Sequence, residues 1–366
     1  MYASTLNAGA TTAGYPMAIA NNSYYTDGKL HTGVYPSEYL ANPKLRWEES
    51  KQLDLGLDLR FLNSRLLFTT DYYNKITDGL LVQSVAPLMT GTSYQYQNLG
   101  KVRNTGFEFE LEWRDRVNKD FSYSVKGNLA TVSNKVTKYR GKGIRIAGAA
   151  LPSMPTAATY FEEGYPVWYI RGYEFTGVDE KTGEAIYKDQ DGDGNITDAD
   201  RVNLGKAIPD FTYGITISLN YKNFDFSAYG AGAQGSQLLY GLANGTTQKP
   251  MFLYNGRWTE SNHHASMPSA LYQKDNKFYN SSAFVFNANY FKIKQIQLGY
   301  TLPKSVLKKV SLQSLRAFVS LDNFFTFTSY PGMDPEVRSS SASAMAVDFA
   351  GYPISKSVSV GLNLSF

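Results

Sequence analysis

GFEFELEW, residues 106–113, decides the class of fold. Phe107, Phe109, Leu111 and Trp113 fall on one side of a period-two repeat, and Glu108, Glu110 and Glu112 fall on the other. A helix would scatter these residues around its axis, whereas a strand sorts them onto two faces. The rhythm recurs on either side. In LDLGLDLRF, Leu53, Leu55, Leu57, Leu59 and Phe61 share a face; in FTYGITISLNY, Phe211, Tyr213, Ile215, Ile217, Leu219 and Tyr221 do. The last nine residues, VSVGLNLSF, place Val358, Val360, Leu362, Leu364 and Phe366 together. Segments 65–74, 121–130, 223–230, 290–302 and 314–325 alternate less cleanly. The expectation is an all-β chain of about nine long antiparallel strands.

Composition agrees. The 366 residues include 28 Tyr, 21 Phe and 4 Trp, a mix that favours strands. Net charge is +4 with both signs interspersed and no basic block, which argues against nucleic acid as a partner. There is no Cys, so nothing rests on a disulfide. The opening MYASTLNAGATTAGYPM has no charged region leading an apolar one and does not read as a signal peptide. No apolar run reaches the roughly 18 residues of a membrane helix, but strands that alternate across a bilayer never form such a run.

Strand length favours the bilayer. Soluble strands average about 5–6 residues, while a tilted membrane strand needs about 9–11, as here. Phe61, Trp113, Tyr221 and Phe366 end their apolar faces, as an interfacial aromatic girdle would. Short connections (62–64, 114–120, 222–223, 302–313) alternate with long ones (1–44, 76–101, 138–210, 234–285, 326–355). Outer-membrane barrels have that order, with short periplasmic turns and long extracellular loops, and it puts the end at Phe366 in the periplasm. Nine strands would leave two open edges in lipid. The expectation is therefore the C-terminal portion of a larger transmembrane β-barrel: an outer segment at 1–44, barrel from 45 to 366, and a Met1 that need not be a natural start. Two rivals are a secreted or surface calcium-stabilised β-protein, such as an adhesin or binding module, and a β-rich glycan hydrolase. Solubility without detergent would favour the first, and turnover by the chain the second.

One motif stands apart. DQDGDGNITDAD, residues 189–200, has the spacing of a twelve-residue calcium loop. Asp189, Asp191 and Asp193 take positions 1, 3 and 5, Gly194 the sharp turn, Asn195 the carbonyl position, Thr197 position 9 and Asp200 position 12. These hard oxygen ligands suit a structural Ca²⁺. The flanks do not suit a sensor: upstream, TGVDEKTGEAIYKD reads as a hairpin turning at Lys181-Thr182-Gly183, and downstream Pro209 introduces a strand. The alternative is an acidic turn capped by its own side chains.

Catalysis has little to stand on. His31, His263 and His264 all fall in expected loops. Asp54/Asp58 and Glu108/Glu110/Glu112 would face a polar lumen. Tyr240, Tyr254, Arg257 and Trp258 could meet a ligand, though loop packing accounts for each. No catalytic and no substrate residue is assigned.

The ordered set NPKLRWEESKQLDLGLDLRFLNSRL (42–66), DYYNKITDGLL (71–81), NLGKVRNTGFEFELEW (98–113), DQDGDGNITDADRVNLGKAIPDFTYG (189–214), NANYFKIKQIQLGYTLP (287–303), LDNFFTFTSYPGMDPEV (321–337) and SVGLNLSF (359–366) resembles the SusC/RagA family of TonB-dependent outer-membrane transporters. The resemblance implies a plugged barrel of about 22 strands. It implies import of an oligosaccharide or peptide, a SusD-like surface lipoprotein as partner, and drive from TonB-ExbB-ExbD through an N-terminal plug and TonB box not visible in this chain. The wall would lie in outer-membrane lipids and use no catalysis of its own.

Overall fold

The computed structural model describes residues 18–36, 39–40, 42–141, 143–152, 154–243, 250–271, 276–307, 312–336, 339 and 341–366. Of the opening segment, residues 1–17 lie outside the described residues.

Nine long strands form one meandering sheet: β1 (Glu49–Phe61), β2 (Leu66–Val85), β3 (Tyr94–Arg116), β4 (Phe121–Thr131), β5 (Phe211–Tyr221), β6 (Phe224–Gln234), β7 (Tyr290–Thr301), β8 (Ser314–Thr328) and β9 (Ser357–Ser365). Each pairs antiparallel with the next, in sequence order from β1 to β9. All nine expected strands are present. The four short connections meet at one end of the sheet and the long ones at the other. The tightest short turn is Lys222-Asn223, where Lys222 takes φ 51 to fold β5 back on β6.

The register sorts the side chains into two faces. On one face, Leu57 of β1 neighbours Thr70 of β2 and Phe109 of β3, then Leu129 and Tyr213 of β4 and β5. Nearer the turns on the same face, Leu219 of β5 starts a second row that runs through Phe226, Leu298, Val319 and Val360 from β6 to β9. Leu55 is 60% exposed and Leu362 is 64% exposed on this face. A water-soluble protein does not leave so broad an apolar surface bare. Aromatic side chains mark both its margins. Toward the turn end Phe121 and Tyr221 lie 6.4 Å apart and Phe224 and Tyr300 4.7 Å; toward the loop end Tyr72 and Phe107 lie 5.1 Å apart and Tyr213 and Phe291 5.9 Å. From Phe211 to Tyr221 the strand rises about 33 Å, which at a tilt of about 40° is about 25 Å of height, the thickness of a barrel's apolar band.

The opposite face is polar and internally paired. Lys126 bridges Glu110 at 2.7 Å, Thr69 donates to Asp58 at 2.6 Å, and Arg316 pairs with Asp225. Glu108, Glu110 and Glu112 lie here, as their alternation requires.

Residues 76–101 differ from a long loop. β2 runs on to Val85 and β3 starts at Tyr94, so only 86–93 connect them. Strands of 20 and 23 residues rise far past the aromatic margin. A slip in register at Asp78/Leu80, beside Gly79 at φ 70, puts Leu80 and Leu81 out of phase with the residues below. Ser133–Lys138 lengthens the pairing on the other side of β3. His31 also departs from its expected loop. The Asp27-Gly28 turn, with φ 50 and 73, folds Ala18–Thr26 onto Lys29–Pro36, and His31 pairs with Tyr24 inside that hairpin.

Candidate functional site

The long connections do not wave separately. Leu151, Ile170, Leu238, Leu253, Phe284 and Val347 are at most 2% exposed and belong to one apolar cluster drawn from segments 138–210, 234–285 and 326–355. Small sheets frame it. One pairs Arg145–Ala147, Thr159–Glu162, Tyr169–Tyr173 and Arg201–Gly205. Another puts Gln237–Tyr240 between Val285–Asn287 and Val347–Asp348. The buried apolar residues of the described chain lie mainly in this layer, whereas the long sheet supplies few.

The acidic loop sits on the first of these sheets. Asp189, Asp191 and Asp193 each bring a carboxylate oxygen within 4.8 Å of the others. Asp189 accepts the Gly192 N–H at 2.6 Å and the Gly194 N–H at 2.8 Å, which bends the chain through φ 77 and 82 at those glycines. Asp193 accepts the Asn195 N–H at 2.7 Å. Asp200 is fully buried, and its two oxygens take the Gln190 and Thr197 N–H groups, both at 2.7 Å. Thr197 in turn caps Ala199 at 3.2 Å. So three of the six predicted ligand residues converge, while Thr197 and Asp200 brace the backbone and Asn195 contributes a turn amide. The Thr197 and Gln190 N–H groups hold the Asp200 carboxyl below the usual carboxylate range. Asp191 goes the other way: the Asp193 N–H lowers it, but desolvation and the charges of Asp193, Asp200 and Asp189 together raise it. The upstream hairpin forms as expected, Phe175–Val178 against Ala185–Tyr187, with Gly183 at φ 72 in its turn.

Asp198 ties this loop to the sheet. Arg201, 1% exposed at its side chain, reaches Asp198 at 3.0 Å, the Tyr160 hydroxyl at 3.0 Å and two backbone carbonyls. Arg171 meets Asp198 at 3.1 Å. Lys277 donates to the Ile196 carbonyl at 2.9 Å. A second ionic cluster joins the wall to the layer: Lys292 of β7 contacts Asp334 at 2.5 Å and Glu336 at 2.7 Å, and Tyr290 donates to Glu336 at 2.7 Å. Burial would raise the Glu336 carboxyl, but Lys292, Lys294 and Tyr290 outweigh it and bring it down to about 2.

The aromatic residues of 234–285 separate by role. Tyr240 is a core residue against Phe252 and Phe286. Trp258 donates to the Glu180 carbonyl at 2.9 Å and fastens the hairpin. Tyr254 is exposed, with Arg257 stacked 4.2 Å from its ring. His264 meets Glu180 at 2.7 Å and His263 rests near Trp258, both at the surface. A cleft of about 990 Å³ opens between the β2/β3 hairpin and the layer, lined by Tyr94, Tyr139, Phe161, Trp168, Arg140 and Arg145. No sequence motif marks it, because its residues come from five separate segments.

A family model described as TonB dependent receptor-like, beta-barrel matches residues 3–324. The chain is 33% identical over 360 residues to TonB-dependent receptor P3 of Formosa agariphila, covering 91% of this chain and 36% of that protein. It is 27% identical to TonB-dependent receptor SusC of Bacteroides thetaiotaomicron, covering 98% and 36%. A solved structure of the RagAB peptide transporter superposes with a TM-score of 0.81 at 26% identity, covering 96% of this chain and 38% of that one. The chain thus spans a little over a third of the length of these relatives. With its nine-strand wall, apolar outer face and polar inner face, the chain belongs to the TonB-dependent receptor β-barrel family of the outer membrane.

Proposed function

We propose that this chain forms wall and outer loops of a SusC/RagA-type importer that takes up an oligosaccharide or peptide. The observation that supports this most directly is the bare apolar face shared by all nine strands, backed by a polar, charge-paired face that suits a water-filled lumen. In this reading the short turns and the end at Phe366 are periplasmic. The layer built from the long connections is extracellular, where a SusD-like lipoprotein would close over it. TonB-ExbB-ExbD would supply energy through a plug. Nothing in the mechanism asks this chain to make or break a bond; it encloses, presents and guides. Uptake of labelled oligosaccharide and peptide pools tests the reading, in cells with and without the full-length protein and with TonB disabled. Loss of one pool in both deficient strains is expected. Equal uptake in all strains, or a full-length protein that is monomeric without detergent, would overturn it.

The acidic loop belongs to the same proposal as a structural Ca²⁺ clamp. Asp189, Asp191 and Asp193 would hold the ion, with the Asn195 carbonyl and Thr197 beside it and Asp200 fixing the frame. Three crowded carboxylates with Asp191 disfavoured as an anion are what a divalent cation relieves. Extracellular calcium, in the millimolar range, would fill even a weak site.

A further inference from the structure

Past the loop-end aromatic margin the apolar face turns cationic. Register places Lys51, Ile76, Arg103 and Lys135 in one row across β1, β2, β3 and Ser133–Lys138. The alternation is unbroken from Phe107 to Arg103 and from Tyr72 to Ile76, so the row lies on the apolar side. Four residues separate it from Tyr72 and Phe107, about 13 Å of strand and about 10 Å of height. A neutral row of Leu53, Asn74, Thr105 and Ser133 intervenes. Lys51, Arg103 and Lys135 are exposed, and among the described residues none of the three forms an ion pair.

Nearby carboxylates are already engaged, by cations or by backbone and hydroxyl donors. Glu49 binds Arg46 at 3.2 Å and Asp78 binds Lys101 at 2.9 Å. Glu162 and Glu163 share a cleft with Arg103 and Lys135, but Glu162 holds Arg145 and the Tyr169 hydroxyl, and Glu163 accepts the Tyr139 N–H. Arg103 commits only Nε, to Asn74 at 3.0 Å. Arg103 and Lys135 stand directly opposite each other, an arrangement that costs stability unless an anion lies between them. Three strand spacings of about 4.8 Å make the row about 14 Å long.

We infer that this row binds the phosphate-bearing headgroups of lipid in the leaflet at the loop end. The inference rests on the membrane-wall reading above. The backbone of the row lies just above the headgroup layer, which adds about 5–8 Å to each side of the hydrocarbon core, and the long Arg and Lys stems span the short distance back into it. Arg presents a planar fork to phosphate oxygens, and Lys adds point charge. Leu55, Tyr72 and Phe107 directly below form a track for acyl chains. A free phosphate would use the cations but not that track.

The test titrates the full-length detergent-solubilised protein with dioleoyl phosphatidic acid or dioleoylglycerol and follows bound lipid by native mass spectrometry. Phosphatidic acid should bind selectively. Arg103→Gln with Lys135→Gln should weaken it about 30-fold, about fivefold per charge removed. Lys119→Gln with Lys222→Gln, at the opposite margin, should not. Equal affinity for the two lipids, an unchanged double variant, or full displacement by inorganic phosphate would overturn the site. If the intact protein retained no lipid of either kind, the wall reading itself would fall.

Discussion

A charge moved through Ile217, Ser218 and Phe211 separates a membrane wall from a soluble sheet. Ile217 lies four residues from Tyr221 on the apolar face of β5, so it is about 10 Å in height from the turn-end aromatic margin, well inside the band. Its neighbours across the strands are Val125 and Ala228. In hydrocarbon, arginine there should cost about 3 kcal/mol, within the range of about 2–4 for the midplane. Phe211→Arg, on the same face at the loop-end margin, should cost about 1 kcal/mol or less. Ser218→Arg, one residue on from Ile217, turns to the polar face among Ser124 and Ser227 and should also stay below about 1 kcal/mol. The assay is urea unfolding of the full-length receptor folded into phospholipid vesicles, read as the midpoint at constant slope. A covered soluble face would penalise Phe211→Arg and Ile217→Arg alike. That equality, or a Ser218→Arg cost matching Ile217→Arg, would refute the assignment of faces.

Asp191→Asn should act with opposite signs: it removes repulsion and protects residues 189–200 from protease when calcium is chelated, and weakens protection when calcium is present. The same sign under both conditions would dismiss the clamp. Glu336 has a folded-state carboxyl at about 2 against an ordinary value of 4.5. A lowered carboxyl contributes stability above the ordinary value and loses it as pH falls toward 2. About 3 kcal/mol of stability in the outer layer should therefore disappear between pH 4.5 and 2, and Lys292→Met should flatten that slope in thermal melts. Asp198→Asn strips Arg201 and Arg171 of their shared carboxylate. Because Asp198 is 63% exposed, screening should hold the cost near about 2 kcal/mol rather than the larger penalty of a buried pair. Faster hydrogen exchange confined to residues 157–173 would confirm it, and no change there would count against the network.

The wall was legible because period-two alternation over eight or more residues fits a strand and no helix, and GFEFELEW carries it without a flaw. β2 and β3 read short because the bulge at Gly79 breaks phase, so Leu80, Leu81 and Val82 look like a loop's apolar run. The Asp27-Gly28 turn was an available hairpin signal and places His31 on a strand. In the acidic loop, positions 1, 3 and 5 follow from spacing alone. The engagement of Asp200 with the backbone depends on where the short 198–200 turn docks, which spacing does not encode. The outer layer's core was illegible. Its pieces are strands of two to five residues, with partners as far apart in the chain as Leu239 and Val347, and its buried arginines look like surface residues until the sheet closes over them.

That core also makes distant stretches of the chain depend on one another. Leu151 and Val347 meet in it, yet the wall strands β5, β6, β7 and β8 all lie in the stretch of chain between them. No single connection can therefore shelter its apolar residues by itself. Only with the segment before β9 in place can Val347 seat beside Gln237–Tyr240 and those surfaces be covered. A chain truncated before Val347 should therefore leave apolar surface of the layer uncovered and its connections open to protease.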